Sequence, residues 1–323
     1  VQAGVRLYGC FDIKDTILTD RDCLANLTVL SGDIGEDDIT NGDGVVTEPG
    51  NIVGDNSYHV IWADGTAGTP MTNTTVIDGF TITAGQANGS GMNQNGGGLY
   101  CNGSNAVNDE CSLSLRNLIF TGNTSSFDGG AAYNDGFRGV SRPTLSDVSF
   151  INNYAVNYGG AMYNNGREGL SSPRLRNATF TGNNAASGGA VYNQGSYDGE
   201  SSPSFLNVIF MENFAYTSGG AVENRGYKGT SSPTFINVLF SGNKVEEYNG
   251  GAMKNQVNSC ASDPVLITVT MSGNSAGDEG GGMYNSGYNG SCEPQVYNSI
   301  LWGNHAKGAT GSIYTNIFND HAG

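Results

Sequence analysis

Positive charge is scarce in this chain. Lysine and arginine number 14 against 30 acidic residues, the formal net charge is −16, and only 14% of residues are charged. A surface that acidic repels phosphate, which excludes nucleic acid and anionic membranes as partners. Long apolar runs are missing as well: nothing approaches the ~18 residues of a membrane-spanning helix, so no transmembrane segment is expected. No window carries a useful helical period, which leaves an all-β chain. The serines never fall in G-x-S-x-G and no cysteines are spaced C-x-x-C. The three histidines, His59, His305 and His321, show no metal spacing. Serine nucleophiles, dithiol redox motifs and zinc sites therefore have no support. The chain opens at Val1 without a signal-like apolar segment, as expected either of a mature secreted chain or of a trimmed piece of a longer one.

What the sequence has in excess is glycine, 50 of 323 residues, much of it in pairs locked to a repeat. Gly-Gly-Ala-Met-Tyr-Asn at 159–164 has counterparts beginning at Gly96, Gly129, Gly188, Gly219, Gly250 and Gly280. Between copies runs Pro-x-Leu-x-Asn-Val-x-Phe-x-Gly-Asn, with the aromatic at Phe120, Phe150, Phe180, Phe210 and Phe240. A period of about 30 residues that holds through this much chain is the mark of a solenoid. Each repeat offers three short strands: the Gly-Gly segment, the segment with Leu115, Leu145, Leu175 and Phe205 in one column, and a short one carrying Ala155, Ala185 and Ala215. Three strands per turn, each position stacked on its copies, describe a parallel β-helix with rungs ~4.8 Å apart. The expected layout is one domain over 1–323: irregular rungs over 1–95, seven regular repeats over 96–305, and a C-terminal segment over 306–323.

Two asparagine columns run through the repeats, Asn123 to Asn304 and Asn134 to Asn285. They are expected at corners, in left-handed backbone, with their carboxamides laddered along the rod. In the Gly-Gly segment the fourth position is always apolar and points inward. The fifth is Tyr100, Tyr133, Tyr163 or Tyr192, then Glu223, Lys254 and Tyr284. A position that accepts Glu and Lys is expected to face solvent, as period-two alternation also demands. Tyr133, Tyr163 and Tyr192 then form an outward stack, joined near the prolines by Tyr197, Tyr227 and Tyr288, that suits sugar rings or a protein partner.

The cysteines are Cys10, Cys23, Cys101, Cys111, Cys260 and Cys292. Cys260 and Cys292 fall on one corner of adjacent rungs, Cys101 and Cys111 flank an acidic insertion, and Cys10 and Cys23 make the third pair. At least two disulfides are expected, which implies an oxidising compartment. An acidic loop, 33–51, contains Asn41-Gly-Asp43-Gly. With Gly44 at position six of an EF-hand, Ile39 falls at position one and Gly50 at twelve, so that fingerprint fails. Asp37, Asp38 and Asp43 are the candidate ligands of an irregular structural calcium, the only cofactor expected, against the plainer reading of a solvated loop.

These residues resemble two groups of bacterial surface proteins. The GGAMYN and F-x-x-N pair is similar to the repeats of chlamydial polymorphic outer-membrane proteins. The motifs Leu7-Tyr8-Gly9-Cys10-Phe11, Asp78-Gly79-Phe80-Thr81-Ile82 and Asn298-Ser299-Ile300-Leu301-Trp302-Gly303-Asn304 resemble, in order, those of large bacterial right-handed parallel β-helix repeat proteins of the "choice-of-anchor" type. The resemblance implies a secreted or cell-surface β-solenoid, single-stranded and right-handed. Against that pattern both ends lack a clear cap, and exposed strand edges recruit other strands. A head-to-tail contact that does not close makes a fibre, so the leading expectation is a non-enzymatic structural rod that self-associates into a filament. The alternative is an adhesin-like module binding glycan or surface protein through the Tyr column. A polysaccharide lyase or glycosidase ranks third, because most carboxylates fall in different columns; Glu246, Glu247, Asp278 and Glu279 come nearest to converging.

Overall fold

Residues one repeat apart lie side by side. Leu145 pairs with Leu115 and Leu175, and Phe150 with Phe120 and Phe180, in parallel register. The computed structural model describes residues 1–260, 262–307 and 316–320; most of the segment 306–323, including His321, lies outside them. Among the described residues the only helical turns are Leu18–Asp20, Pro49–Asn51 and Gly91–Gln94. The strands form a parallel β-solenoid with three long faces. Among the described residues sheet A has 11 strands, sheet B has 8 short ones, and sheet C has 9. In the repeat, sheet A is built from strands such as Thr144–Ile151, sheet B from Tyr154–Ala155 and sheet C from Met162–Asn165.

Sheet A is bent along its length. Its fourth strand position is left-handed in every repeat: Asn117, Asp147, Asn177, Asn207, Asn237, Thr268 and Asn298 all have φ between 49° and 59°. Asn and Asp tolerate that backbone better than other side chains do. The bend lets two successive side chains face out, so the inward set is Leu115, Leu118 and Phe120, each no more than 1% exposed, instead of a strict alternation. Along the bend Asn177, Asn207 and Asn237 each donate to the residue one rung back, at 3.0, 3.1 and 2.9 Å.

The core is a set of columns of like residues. Phe120, Phe150, Phe180, Phe210 and Phe240 stack at 5.0, 4.7, 4.8 and 4.8 Å, each pair contributing about 0.5–1.5 kcal/mol beyond its buried area. Leu99, Met162, Val191, Val222, Met253 and Met283 face them from sheet C, fully buried as expected. The corner ladder satisfies every group it buries. Asn183 donates through Nδ2 to the Phe150 carbonyl and to Asn213 Oδ1, both at 3.0 Å, while its own Oδ1 accepts from Asn153. The second ladder, Asn134 through Asn285 to Asn319, runs at 2.7–2.8 Å. Left-handed backbone is not where it was expected. The residue before the first ladder takes it, as Gly122, Asn152, Gly182, Glu212 and Gly242. That residue turns the corner and leaves the next carboxamide inside.

The first rung is split. Arg6–Tyr8 covers one half of Val76–Thr83 and Val29–Ser31 the other. The excursion between them is closed by the Cys10–Cys23 disulfide and by Arg21, 3.3 Å from Asp78. The acidic loop is not simply solvated. Val46 is fully buried and its carbonyl accepts from Thr83 Oγ1 at 2.8 Å; Asn152 reaches Glu48 at 2.8 Å. The loop is thus a strap across three rungs, and a Cβ on Gly122 would lie 2.4 Å from the Val46 carbonyl.

Asn213→Ala strands buried groups on both neighbouring rungs and should cost roughly 3 kcal/mol, read as a lower urea midpoint. Asn207→Gly, on the exposed bend, keeps the left-handed backbone accessible and should stay within about 0.5 kcal/mol of wild type.

Candidate binding face

The tyrosine column is buried, which corrects the expectation of an outward stack. Alternation does turn it away from the core, but the chain folds back over that side of sheet C. Trp62, Tyr100, Tyr133, Tyr163 and Tyr192 stack in series at 4.9, 5.1, 5.0 and 5.5 Å. Tyr158, from the preceding turn, lies on Tyr192 at 4.5 Å. Exposures fall to 8% at Tyr133, 4% at Tyr163 and 1% at Tyr192, and burial raises all three phenols well above their usual range. Their hydroxyls are engaged. Tyr100 donates to Asp135 at 2.8 Å, Tyr163 bonds to Gln194, and Arg225 donates to Tyr192 at 3.4 Å. Glu223 and Lys254 hold the same column for a reason other than solvation: one rung apart, they approach to 3.9 Å, and Ser218 donates to Glu223 at 2.5 Å. Their presence therefore did not mark a solvent face. Of the tyrosines near the prolines, Tyr197 and Tyr288 are 44% and 57% exposed. Tyr197 meets Tyr227 edge-on at 5.3 Å and carries the Arg167 guanidinium 4.8 Å from its ring, so these rings present no flat row.

The other sequence candidates separate. Asp37 and Asp38 do come together, with Asp33, their carboxylate oxygens within 4.8 Å of one another. Backbone and amide donors offset the repulsion: Val53 N–H reaches Asp38 at 2.6 Å and Asn56 Nδ2 at 2.7 Å. Asp43 is not among them; its backbone N–H donates to Asn41 Oδ1 at 2.9 Å, so the Asn41 side chain closes that turn. Cys10–Cys23 and Cys101–Cys111 are disulfides. Cys260 and Cys292 are free thiols, contrary to expectation. Cys292 turns inward to the Asn255 carbonyl at 3.7 Å, and burial pushes its thiol up to about 12. Among the carboxylates nearest to converging, Glu246 is paired with Lys244 and lies 4.0 Å from Lys307.

What sequence reasoning missed lies on the outer face of sheet A. Two outward columns precede the bend. One reads Ser114, Thr144, Arg174, Ser204 and the other Arg116, Ser146, Arg176, Leu206. They line an open groove of about 460 Å³. A second groove of about 330 Å³ shares Thr144 and Arg174 with it and adds Arg142 and Glu110. Four of the 14 basic residues are thus gathered on one face, all exposed. Among the described residues none of the four lies within ion-pair distance of a carboxylate, which is also true of Arg6, Lys14, Arg225 and Lys228, whereas Arg21, Arg138, Arg167, Lys244, Lys254 and Lys307 all do. The four differ from the other unpaired ones in sharing two joined grooves. The one side-chain bond within the set is Arg116 Nε to Ser114 at 3.0 Å. The signal in the sequence was faint: Arg174 and Arg176 flank an inward leucine, but Arg116 and Arg142 lie on other rungs and the net charge points the opposite way.

Asp128, beneath the tyrosine stack, is 5% exposed and its Oδ1 has no partner among the described residues. Burial pushes its carboxyl up to about 8, the Tyr158 N–H opposing. Since folding raises it from an unfolded value near 3.9, its contribution is whole below pH ~4 and is lost as pH rises toward 8. Asp128→Asn removes that loss. The variant should melt above wild type at pH 8 and close to it at pH 4, and a lower Tm at pH 8 would contradict the assignment.

Asp128 lies inside the segment that matches a known family. The model of the Chlamydia polymorphic membrane protein repeat matches residues 117–135, a stretch that also holds Phe120, Asn123 and Tyr133. No curated protein and no solved structure matches the chain. The protein is a β-solenoid in which one segment, residues 117–135, is similar to the Chlamydia polymorphic membrane protein repeat.

Proposed function

We propose that this is a non-enzymatic, surface-displayed attachment module that engages an anionic partner through the arginine face of sheet A. The observation that carries this reading is the set Arg116, Arg142, Arg174 and Arg176, gathered on one face with no ion pair among the described residues, in a chain of net charge −16. Holding like charges together costs stability that no internal pair offsets here, so the arrangement makes sense when an external anion completes it. Display outside the cell is supported by the two disulfides and by the surface-protein repeat. Beads coated with the protein should attach to a cell monolayer and detach in 1 M salt, where the screening length is about 3 Å. Arg174→Ala/Arg176→Ala should lose attachment while Arg138→Ala/Arg167→Ala keeps it. Wild-type beads that do not attach would refute the reading.

End-to-end self-association is the second reading. It rests on the last described rung of sheet A, where Tyr297, Ile300 and Trp302 are 51%, 62% and 73% exposed on strands paired on one side only. At the opposite end Phe11, Ile13 and Leu24 are 41%, 98% and 101% exposed. Apolar side chains beside an open strand edge recruit another copy. Negative-stain images should contain fibres that Trp302→Lys abolishes; single wild-type rods would eliminate this reading.

A further inference from the structure

We infer that the partner of the arginine face is an acidic polysaccharide, carrying carboxylate or sulfate groups, that lies along the axis of the rod. The inference rests on the attachment reading and adds the chemical class. Arg116 and Arg176 occupy one column two rungs apart, with Ser146 between them, which sets their axial spacing at roughly 9–10 Å. Arg174 stands beside Arg176 on the same strand and the same side of the bend, and both are exposed. The charges therefore follow the rod across three rungs, separated by hydroxyls. A linear polymer with an anionic group on some units and hydroxyls on the others meets both features. The guanidinium forks grip the carboxylate or sulfate oxygens, and Ser114, Thr144 and Ser146 exchange hydrogen bonds with sugar hydroxyls.

The two other polyanions fit less well. Duplex DNA carries one charge about every 1.7 Å, far denser than these arginines, and no aromatic ring lines either groove to stack a base. An acidic peptide would want an apolar anchor pocket at the centre of its footprint; here that place holds Thr144, Ser146 and Arg174, while Leu145 is 2% exposed and turned inward. Open grooves that continue into one another also suit a chain better than a small molecule.

The test is calorimetric titration of the intact protein with hyaluronan oligosaccharides, which bear carboxylates only, and with dextran sulfate, which bears sulfates only. Neutral dextran, poly-glutamate and an oligonucleotide duplex complete the set. Binding to either acidic polysaccharide, and not to neutral dextran, is expected, and the stronger of the two identifies the anion. Arg174→Ala/Arg176→Ala should weaken it about tenfold or more, equivalent to about 1.4 kcal/mol. Arg138→Ala/Arg167→Ala should leave it unchanged, with melting temperatures recorded for both variants. Equal binding by the Arg174/Arg176 variant, or preference for poly-glutamate or DNA, would overturn the inference. If no polysaccharide binds while bead attachment still depends on Arg174 and Arg176, the glycan assignment fails and the attachment reading stands. Loss of both removes the reading itself.

Discussion

The constraint on which everything else depends is the register of one rung on the next, and the buried asparagine ladders hold it. Each carboxamide in the corner ladder gives one hydrogen bond to a core carbonyl and one to the next asparagine, and accepts from the one before. A slip of one residue would leave all of these groups buried and unpaired, at a cost of about 1–3 kcal/mol each. Slippage of a strand would also turn a phenylalanine column outward. Polar satisfaction and apolar packing therefore demand the same alignment, so a chain with modest helix and turn content and few charges can stack into a long, regular rod.

Because register is locked, any column of side chains becomes a line along the axis. Three such lines meet different fates. The phenylalanines fill the interior, the tyrosines are covered by the chain that turns back over sheet C, and the outer face of sheet A before the bend stays open. The left-handed residues at Asn117 to Asn298 matter for function as well as for shape. By breaking the alternation they give this face its own edge, and the arginines lie on one side of it. A charged column buried elsewhere in the fold, Glu223 above Lys254, neutralises itself; the arginine face does not.

This contrast is what separates structure from function in a solenoid. Periodic features support the stack, and departures from the period are where a partner is read. The strap over 33–51 and the split first rung are departures of a structural kind, closing one side of the rod through Val46 and the Cys10–Cys23 disulfide. Arg174 interrupts a run of Ser114, Thr144 and Ser204, and Arg116 and Arg176 share a column with Ser146, Leu206 and, one rung before Arg116, Asp78.

The order of residues alone was enough to determine the solenoid, its period, the inward columns and the asparagine ladders, because these positions stack on their own copies one period away. The pairing of Cys10 with Cys23 and Cys101 with Cys111 was legible for a similar reason, their short separations of 13 and 10 residues. Tertiary structure decided which outward columns meet water. Tyr133, Tyr163 and Tyr192 alternate as a solvent face should, yet the turn carrying Tyr158 and the buried Asp128 cover them. It also decided that Cys260 and Cys292 remain thiols, since the inward turn of Cys292 toward Asn255 opposes a corner pairing. And it alone brought together arginines from separate rungs in a chain whose total charge is of the opposite sign. A one-dimensional period fixes contacts along the rod; contacts across it, where loops fold back and faces bend, require three dimensions.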